Sequence, residues 1–205
     1  MKLFKLLSVC AFGLGVAATS YAQDPSNGSM SPSFGVKGGV NFATVTGDDF
    51  DSPDSRTSFH VGLLAEFPLA EIFSLQVEAL YSGQGFKSDV DGAIVGGEGK
   101  VEYQLDYINV PVLAKVYLIE GLSVEVGPQF SFKVNEEIDA DANADAGDLD
   151  VDNAEDFEFG VAAGLTFQTK MGLFASGRYN LGLTDIVENR DVKNSVFQLG
   201  IGFKF

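Results

Sequence analysis

Apolar and polar residues alternate one by one along most of this chain. From Phe34 to Phe42, every second residue is apolar or glycine, and glycine, lysine or asparagine stands between. The same pattern recurs over 59–67, 73–82, 122–133, 159–168 and 197–205. A period of two places successive side chains on opposite faces of a β-strand. No segment after residue 22 has a long apolar pattern with a period of 3.6, so we expect strands and no helices.

The stretch 101–118 alternates as well, but its apolar residues change parity near Tyr107. We expect a β-bulge at this point, because one extra residue would return both halves to the same face. Pro111 would then point inward in mid-strand, with the loss of one hydrogen bond between strands. In the first half of the stretch, four residues would face outward: Val101, Tyr103, Leu105 and Tyr107.

Together with a weaker stretch at 173–183, which Phe174 and Gly177 interrupt, these patterns predict eight strands. Connections are short near 68–72, 119–121 and 169–172, and long near 44–57, 84–99, 135–155 and 184–193. Short turns at one end, long loops at the other and an even strand number are typical of outer-membrane barrels with periplasmic termini. The predicted fold is therefore all-β: an eight-stranded antiparallel up-and-down transmembrane β-barrel.

A soluble barrel would show the same alternation with its apolar face turned inward, so the two faces must be told apart. On five strands, aromatic residues lie eight positions apart on the apolar face. That spacing spans a height of roughly 20 Å, near the roughly 25 Å lipid-facing band of membrane barrels, which has an aromatic ring at each edge. We predict that ten residues form this aromatic girdle: Phe34, Phe42, Phe59, Phe67, Phe73, Tyr81, Phe159, Phe167, Phe197 and Phe205.

The opposite face is rich in Gly, Ser and Gln and carries few charges, which are nearly balanced in sign. An eight-stranded barrel is narrow enough for side chains to fill it, and an unpaired buried charge is unfavourable. We therefore expect a paired charge network in a closed lumen, and a small diffusion pore is the alternative. The predicted network is Lys37, Glu66, Glu78, Glu125, Lys115, Lys133, Glu158, Arg178 and Lys204, with Asp106 on the same face.

The first 22 residues resemble a secretory signal peptide. A basic start and an apolar run over 6–18 precede the cleavage site Ser20-Tyr21-Ala22. The apolar run is too short to span a bilayer, which needs about 20 residues. Cleavage would remove Cys10, the single cysteine. The mature chain would then have neither a disulfide nor a catalytic thiolate. The predicted parts are a signal peptide at 1–22, a periplasmic N-terminal tail at 23–32 and the barrel at 33–205.

Acidic residues dominate the charge of the chain. Cleavage would remove two of the 13 basic residues, Lys2 and Lys5, and none of the 29 acidic ones, so the net charge would be −18. This sign argues against nucleic acid as a partner, because phosphates need Lys and Arg. The four long connections, with the third counted to Asp156, hold 20 of the 29 acids, which would therefore face the cell exterior.

The segment 135–156 carries ten acidic residues and no basic one. Asp139, Asp141, Asn143 and Asp145 space oxygen ligands as the start of an EF-hand loop does. The glycine and the bidentate glutamate that complete such a loop are absent, since Ala144 and Asp150 stand there instead. We expect a solvated acidic loop. Ca²⁺ bound at the four residues, ordering the loop or bridging to lipopolysaccharide, is the alternative.

Three segments carry a resemblance to a known family: Phe34–Phe42 (FGVKGGVNF), Leu105–Leu113 (LDYINVPVL) and Val124–Phe130 (VEVGPQF). By the order and spacing of these motifs, nearly all of the chain after residue 22 resembles the PorT-like outer-membrane β-barrel family. The resemblance implies an eight-stranded barrel in an outer membrane, and it brings no shared catalytic residues. The terminal Phe205 is similar to the aromatic C-terminal signal that barrel-assembly machinery reads.

The function expected from these features is not enzymatic. We predict a monomeric integral barrel, in contact with outer-membrane lipid, that presents acidic loops for a structural or surface-binding role. His60, the only histidine, is expected to point inward near the extracellular rim as a hydrogen-bonded wall residue. A membrane-embedded lipid-modifying enzyme, with His60 beside an Asp and a Ser, is a further alternative. No motif identifies such partners.

Overall fold

The computed structural model describes residues 31–46, 54–90, 99–140, 149–150, 155–184 and 192–205, which contain eight long strands. These are β1 (Ser33–Thr46), β2 (Asp54–Ala70), β3 (Phe73–Val90), β4 (Gly99–Ile119), β5 (Leu122–Ala140), β6 (Phe157–Gln168), β7 (Leu173–Gly182) and β8 (Lys193–Lys204). Each strand pairs antiparallel with its neighbours in sequence, and β8 pairs with β1 to close the ring. The predicted eight-stranded antiparallel up-and-down barrel is confirmed.

The wall of the barrel is polar inside and apolar outside. On β1, Lys37 and Asn41 are buried in the lumen, whereas Val36 and Val40 on the other face are 47% and 41% exposed. Among the described residues, buried polar side chains outnumber buried hydrophobic ones by more than two to one. This is the reverse of a soluble barrel, so the predicted orientation of the two faces is correct. The described residues contain no helix long and apolar enough to cross a membrane.

Three short turns lie at one end of the barrel, which we call the short-turn end. Two-residue turns join β2 to β3 and β4 to β5, and residues 169–172 join β6 to β7. Gly121 and Gly172 have positive φ angles of 82° and 89°, a backbone conformation that glycine adopts without a steric penalty. The other end, the long-loop end, carries the long connections, so the predicted alternation of connection lengths is confirmed.

At the long-loop end, strands β3, β4 and β5 continue beyond the last pair that β5 makes with β6, and β2 accompanies β3 as far as the pair Asp54–Lys87. β5 pairs with β6 only as far as Phe132, yet it continues along β4 to Ala140. Residues 83–90, 99–106 and 135–140 form this continuation, which we call the β3–β5 extension. The loops predicted to start at residues 84 and 135 therefore start later. The inward side of this extension mixes apolar Leu105 with polar Gln84 and Glu136, so the alternation expected of a lipid-facing wall ended before the strands did.

The strand register shifts beside Tyr107, but the extra residue is in β5 and not in β4. Asp106 pairs with Asn135 and Tyr107 with Lys133, which leaves Val134 without a partner in the ladder. Strand β4 therefore keeps one parity throughout. The predicted bulge in β4 is wrong, although Pro111 does point inward as expected.

The continuous parity of β4 reverses four predicted orientations, those of Tyr103, Leu105, Asp106 and Tyr107. Tyr103 packs against the inner cluster described next, and the side chain of Val101 lies outside the described ones. Leu105 and Tyr107 are fully buried in the lumen, where they pack with Val45 and Val192. Asp106 is on the outer side and not in the lumen, and its Oδ2 accepts a hydrogen bond of 2.8 Å from the hydroxyl of Tyr81. An apolar cluster thus fills the long-loop end of an otherwise polar lumen. Apolarity alone could not distinguish this inner cluster from the lipid-facing surface.

Strand β7 is regular, in contrast to its weak sequence pattern. Phe174 points inward, and its ring lies 5.4 Å from Nζ of Lys204. Gly177 is an outward position, where an added Cβ would meet only Leu199, at 3.8 Å. An inward phenylalanine and an outward glycine therefore interrupted the alternation, while the backbone pairing with β6 and β8 is continuous.

Candidate functional site: the barrel lumen

Four charged side chains cross the middle of the lumen. Arg178 donates hydrogen bonds from Nη1 and Nη2 to the two oxygens of Glu78, both at 2.7 Å. It also donates from Nε and Nη2 to Oε1 of Glu125, at 2.9 and 2.6 Å. Nζ of Lys37 lies 3.7 Å from Glu78. These residues come from β1, β3, β5 and β7, so we call them the odd-strand layer. Because β3 and β7 are opposite each other in the ring, the Arg178–Glu78 pair spans the lumen.

A second charged layer lies nearer the short-turn end and comes from the even-numbered strands. Glu66 accepts hydrogen bonds from Nζ of Lys115 at 3.2 Å, from Nζ of Lys204, and from the hydroxyl of Tyr117. Lys204 also donates to Oε1 of Gln168 at 2.9 Å. We call this set the even-strand layer. Inward positions on neighbouring strands alternate in height, which explains why each layer takes side chains from every second strand.

Gln76 joins the two layers. Its Nε2 donates to Glu78 at 2.5 Å, and its Oε1 accepts from Lys115 at 3.0 Å. Thr166 adds a hydrogen bond of 3.1 Å to Glu125. Seven of the nine predicted network residues thus belong to one connected assembly that crosses the lumen twice. The predicted network did not include Gln76, Thr166 or Tyr117. It was predicted from charged residues, and an uncharged polar residue does not require an ion-pair partner.

Lys133 and Glu158, the other two predicted network residues, lie apart at the long-loop end. Nζ of Lys133 is 2.9 Å from Glu136 and 3.6 Å from Asp156. Glu136 turns inward because the extra residue in β5 changes the parity there, a shift that the sequence pattern did not reveal. Glu158 is only 3% exposed, and in the described part of the chain no basic residue contacts it. The expectation that every lumen charge is paired therefore fails at Glu158.

His60 points into the lumen and is 1% exposed. Its Nδ1 lies 2.7 Å from Oδ1 of Asn41, so Nδ1 carries the proton and donates. Asn41 in turn donates to Oγ of Ser82 at 3.0 Å and to the carbonyl oxygen of Gly83 at 2.7 Å. The strand partner of His60 is Gly39, in the middle of β1, so His60 is deeper than the rim position expected for it. No described carboxylate or hydroxyl is hydrogen-bonded to its ring.

The outer wall carries all ten residues of the predicted aromatic girdle on its outward side. Toward the long-loop end, neighbouring rings contact each other, with centroid distances of 6.5 Å for Phe42–Phe197 and 5.7 Å for Phe59–Tyr81. Exposed aliphatic side chains occupy the middle of the wall, including Leu199 and Ile201 at 48% and 67%. So large an apolar surface requires an apolar surrounding.

Two groups of predicted residues are outside the described chain or only partly within it. Asp139 is part of β5, where it pairs with Glu102, but Asp141, Asn143 and Asp145 lie outside the described residues. The signal peptide at 1–22 and most of the tail at 23–32 also lie outside them. Within the described ranges, no three His, Cys, Asp or Glu side chains converge as metal ligands would.

A closed strand ring with an apolar exterior and a hydrogen-bonded polar interior defines an integral outer-membrane β-barrel. A family model for the outer membrane protein β-barrel domain matches residues 21–188, and the chain belongs to this family. No curated protein sequence matches the chain.

Solved structures resemble the barrel at low sequence identity. Neisserial surface protein A superposes with a TM-score of 0.60 at 14% identity, covering 85% of this chain and 99% of that one. Ail, the attachment invasion locus protein of Yersinia pestis, gives 0.53 at 13% identity, with 86% and 100% coverage. Ail in complex with the heparin analogue sucrose octasulfate gives 0.54, with the same identity and coverage. These likenesses show the fold and agree with an outer-membrane location.

Proposed function

We propose that this protein is a closed, non-enzymatic barrel that presents an acidic binding surface at the exterior of the cell. The observation that supports this function is the lumen, which two connected layers cross with charged side chains that are at most 6% exposed. A lumen filled in this way offers no wide water path. The proposed activity therefore resides at the long-loop end, which we assign to the exterior, with the short-turn end in the periplasm.

The β3–β5 extension supports a binding role at that end. Its three strands pair with each other, β2 and residues 149–150 pair with its edges, and the acidic segment 135–156 begins within β5. A surface rich in carboxylates attracts basic partners and repels anionic ones. The complex of Ail with a heparin analogue is a property of that protein. For this chain, the charge favours a basic protein surface instead.

Binding to basic and to acidic polymers tests this proposal. We expect the barrel in lipid nanodiscs to bind poly-lysine, with an affinity that falls as salt is added, and not to bind heparin. A variant in which Asn or Gln replaces the ten acids of 135–156 should lose most of the poly-lysine binding while still folding. Heparin binding by the original chain, or unchanged poly-lysine binding by the variant, would contradict the proposal.

A small pore is the second candidate function, and planar-bilayer recording distinguishes it from the closed barrel. We expect no unitary conductance from the purified protein. The paired variant Arg178→Ala/Glu78→Ala removes both halves of the pair that spans the lumen, leaving Lys37 to balance Glu125, and it should conduct if that pair is the obstruction. Steady conductance steps from the unaltered protein would refute the closed lumen.

The enzyme alternative lacks support at its candidate residue. His60 is buried, and its hydrogen-bond partner is an amide oxygen of Asn41, whereas a catalytic arrangement would need a carboxylate and a nucleophile. We expect no phospholipid hydrolysis by the purified barrel. Hydrolysis that His60→Ala abolished would show that the protein is an enzyme.

The finer sequence expectations belong to the same proposal. The proposed membership among PorT-like barrels rests on the three motifs. For the proposed signal-peptide cleavage, mass spectrometry should find a mature N-terminus at Gln23. On intact cells, a membrane-impermeant maleimide should label Thr184→Cys at the long-loop end and not Lys170→Cys at the short-turn end. We expect size-exclusion chromatography with light scattering to show a monomer in detergent.

The alternative Ca²⁺ site on the acidic loop is tested by calorimetric titration with Ca²⁺. The unaltered chain is compared with the variant Asp139→Asn/Asp141→Asn/Asp145→Asn.

A further inference from the structure

Glu158 is a buried carboxylate without a counter-charge. Its one hydrogen bond comes from Nδ2 of Asn194, at 2.5 Å. The carboxylate lies over Gly182, because a Cβ added to that glycine would be 2.7 Å from Oε1 of Glu158. The missing side chain at Gly182 lets Glu158 on β6 reach across β7 to Asn194 on β8. A single neutral donor is a poor replacement for the water that such a charge loses on burial.

The oxygen atoms around Glu158 also lack partners. Oδ1 of Asn194 and the hydroxyl of Tyr107 are buried without a hydrogen bond among the described residues, and so are both amide atoms of Asn180, the inward residue of β7 next to Gly182. Tyr107 extends from β4, opposite β8 in the ring, and packs against Val45, the strand partner of Asn194. Each of these four side chains is at most 4% exposed. The site therefore combines one negative charge with neutral oxygen atoms, a donor set that hard metal cations prefer.

The neighbouring basic residues are engaged elsewhere. Lys133, on the adjacent strand β5, contacts Glu136 and Asp156. Arg178 is bound to the two carboxylates of the odd-strand layer. Arg56 donates to the carbonyl oxygen of Gln84 at 2.8 Å and to Oε1 of Gln104 at 2.7 Å. No described side chain is therefore placed to neutralise Glu158.

We propose that Glu158, Asn194 and Tyr107 bind one monovalent metal cation, Na⁺ or K⁺, with Asn180 completing the set of oxygen ligands. A single positive charge balances the single carboxylate, whereas a divalent ion would leave an uncompensated charge in a low-dielectric interior. The apolar cluster of Val45, Leu105, Tyr107 and Val192 lies at the same end of the lumen and shares Tyr107 with this site. The acidic loops raise the local concentration of cations near it.

Thermal unfolding of the full barrel in detergent tests the site. The melting temperature is compared in NaCl, KCl and choline chloride at equal ionic strength and constant pH, because choline screens surface charge but is too large for the site. We expect Na⁺ or K⁺ at about ten times its dissociation constant to raise the melting temperature by about 3–5 °C over choline. Glu158→Gln should abolish that difference, since the amide has no charge to balance.

Glu136→Gln is the matched control, because Glu136 is a buried carboxylate at the same end of the lumen but is paired with Lys133. This variant should keep the cation effect. Tyr107→Phe, which removes only a hydroxyl, should reduce the effect and serves as the second test if Glu158→Gln does not fold. Equal melting temperatures in all three salts would overturn the proposal and indicate a protonated Glu158. A cation effect that persists in Glu158→Gln, or stabilisation by Ca²⁺ alone, would also overturn it.

Discussion

Arg178→Met should destabilise the barrel more than any other single substitution in the lumen. Arg178 is 1% exposed and makes four charge-assisted hydrogen bonds to Glu78 and Glu125, at 2.6–2.9 Å. Methionine fills much of the same volume without a charge. After the substitution, two buried carboxylates would share one cation, Lys37, whose Nζ is 3.7 Å from Glu78 and makes no hydrogen bond there.

The expected loss in the free energy of unfolding is about 3–5 kcal/mol, the range for removing one partner of a buried ion pair. Adding about 1.5–3 kcal/mol for each of the four bonds would overestimate the loss, because the guanidinium no longer has to be desolvated. The penalty arises mainly from the carboxylates that remain. The loss in the free energy of unfolding should therefore depend on the charge of these two carboxylates. That charge is removed when glutamine replaces both of them.

The assay is urea unfolding of the barrel in detergent micelles, followed by far-ultraviolet circular dichroism and by heat-modifiable migration on gels. Tryptophan fluorescence does not serve, because the chain has no Trp. In a Glu78→Gln/Glu125→Gln background, Arg178 becomes the unpaired charge, so the same Arg178→Met substitution should stabilise the protein. A loss of the same size in both backgrounds would refute the charge explanation and point to packing alone.

Three further substitutions, two of them with a matched control, test the wall and its geometry in the same unfolding assay. Leu199→Arg should cost about 2–4 kcal/mol, because this outward residue faces the middle of the bilayer, and a loss near zero would contradict that placement. Gly85→Ala should cost about 1–3 kcal/mol, because φ is 118° and the new Cβ would be 1.9 Å from a carbonyl oxygen. Gly38→Ala, where the nearest atom is 3.5 Å away, should be tolerated. Leu105→Ala should cost about 2–5 kcal/mol and Leu118→Ala clearly less, since only Leu105 is fully buried, and equal losses would contradict the inward orientation.

The strand pattern and the two faces of the wall could be read directly from the sequence. In β1 and β8 the alternation is regular, and the structure places each residue on the expected side. Strand β4 shows the limit of this reasoning, because Leu105 and Tyr107 are apolar and yet face the lumen. Alternation identifies which residues share a face, but an apolar residue is compatible with lipid and with a packed cluster alike.

The candidate site was predicted as a set of residues and not as an arrangement. Seven of the nine expected charges do form one connected network, since charges on the inner face of a narrow barrel lie close together. Gln76, which joins the two layers, and Glu136, which turns inward after the extra residue in β5, were not anticipated. Glu158 was expected to pair and does not, because the bases near it are bound to other carboxylates.

Strands, turns and, outside the first half of β4, the side of the wall that a residue takes depend on near neighbours along the chain, and the sequence predicted them. Which lumen charges meet follows only from the closed barrel. Arg178 and Glu78 are 100 positions apart and come from strands that are not adjacent, so their contact depends on ring closure and strand register. A shift of register would give each charge different partners across the lumen, even with the alternation of every strand unchanged.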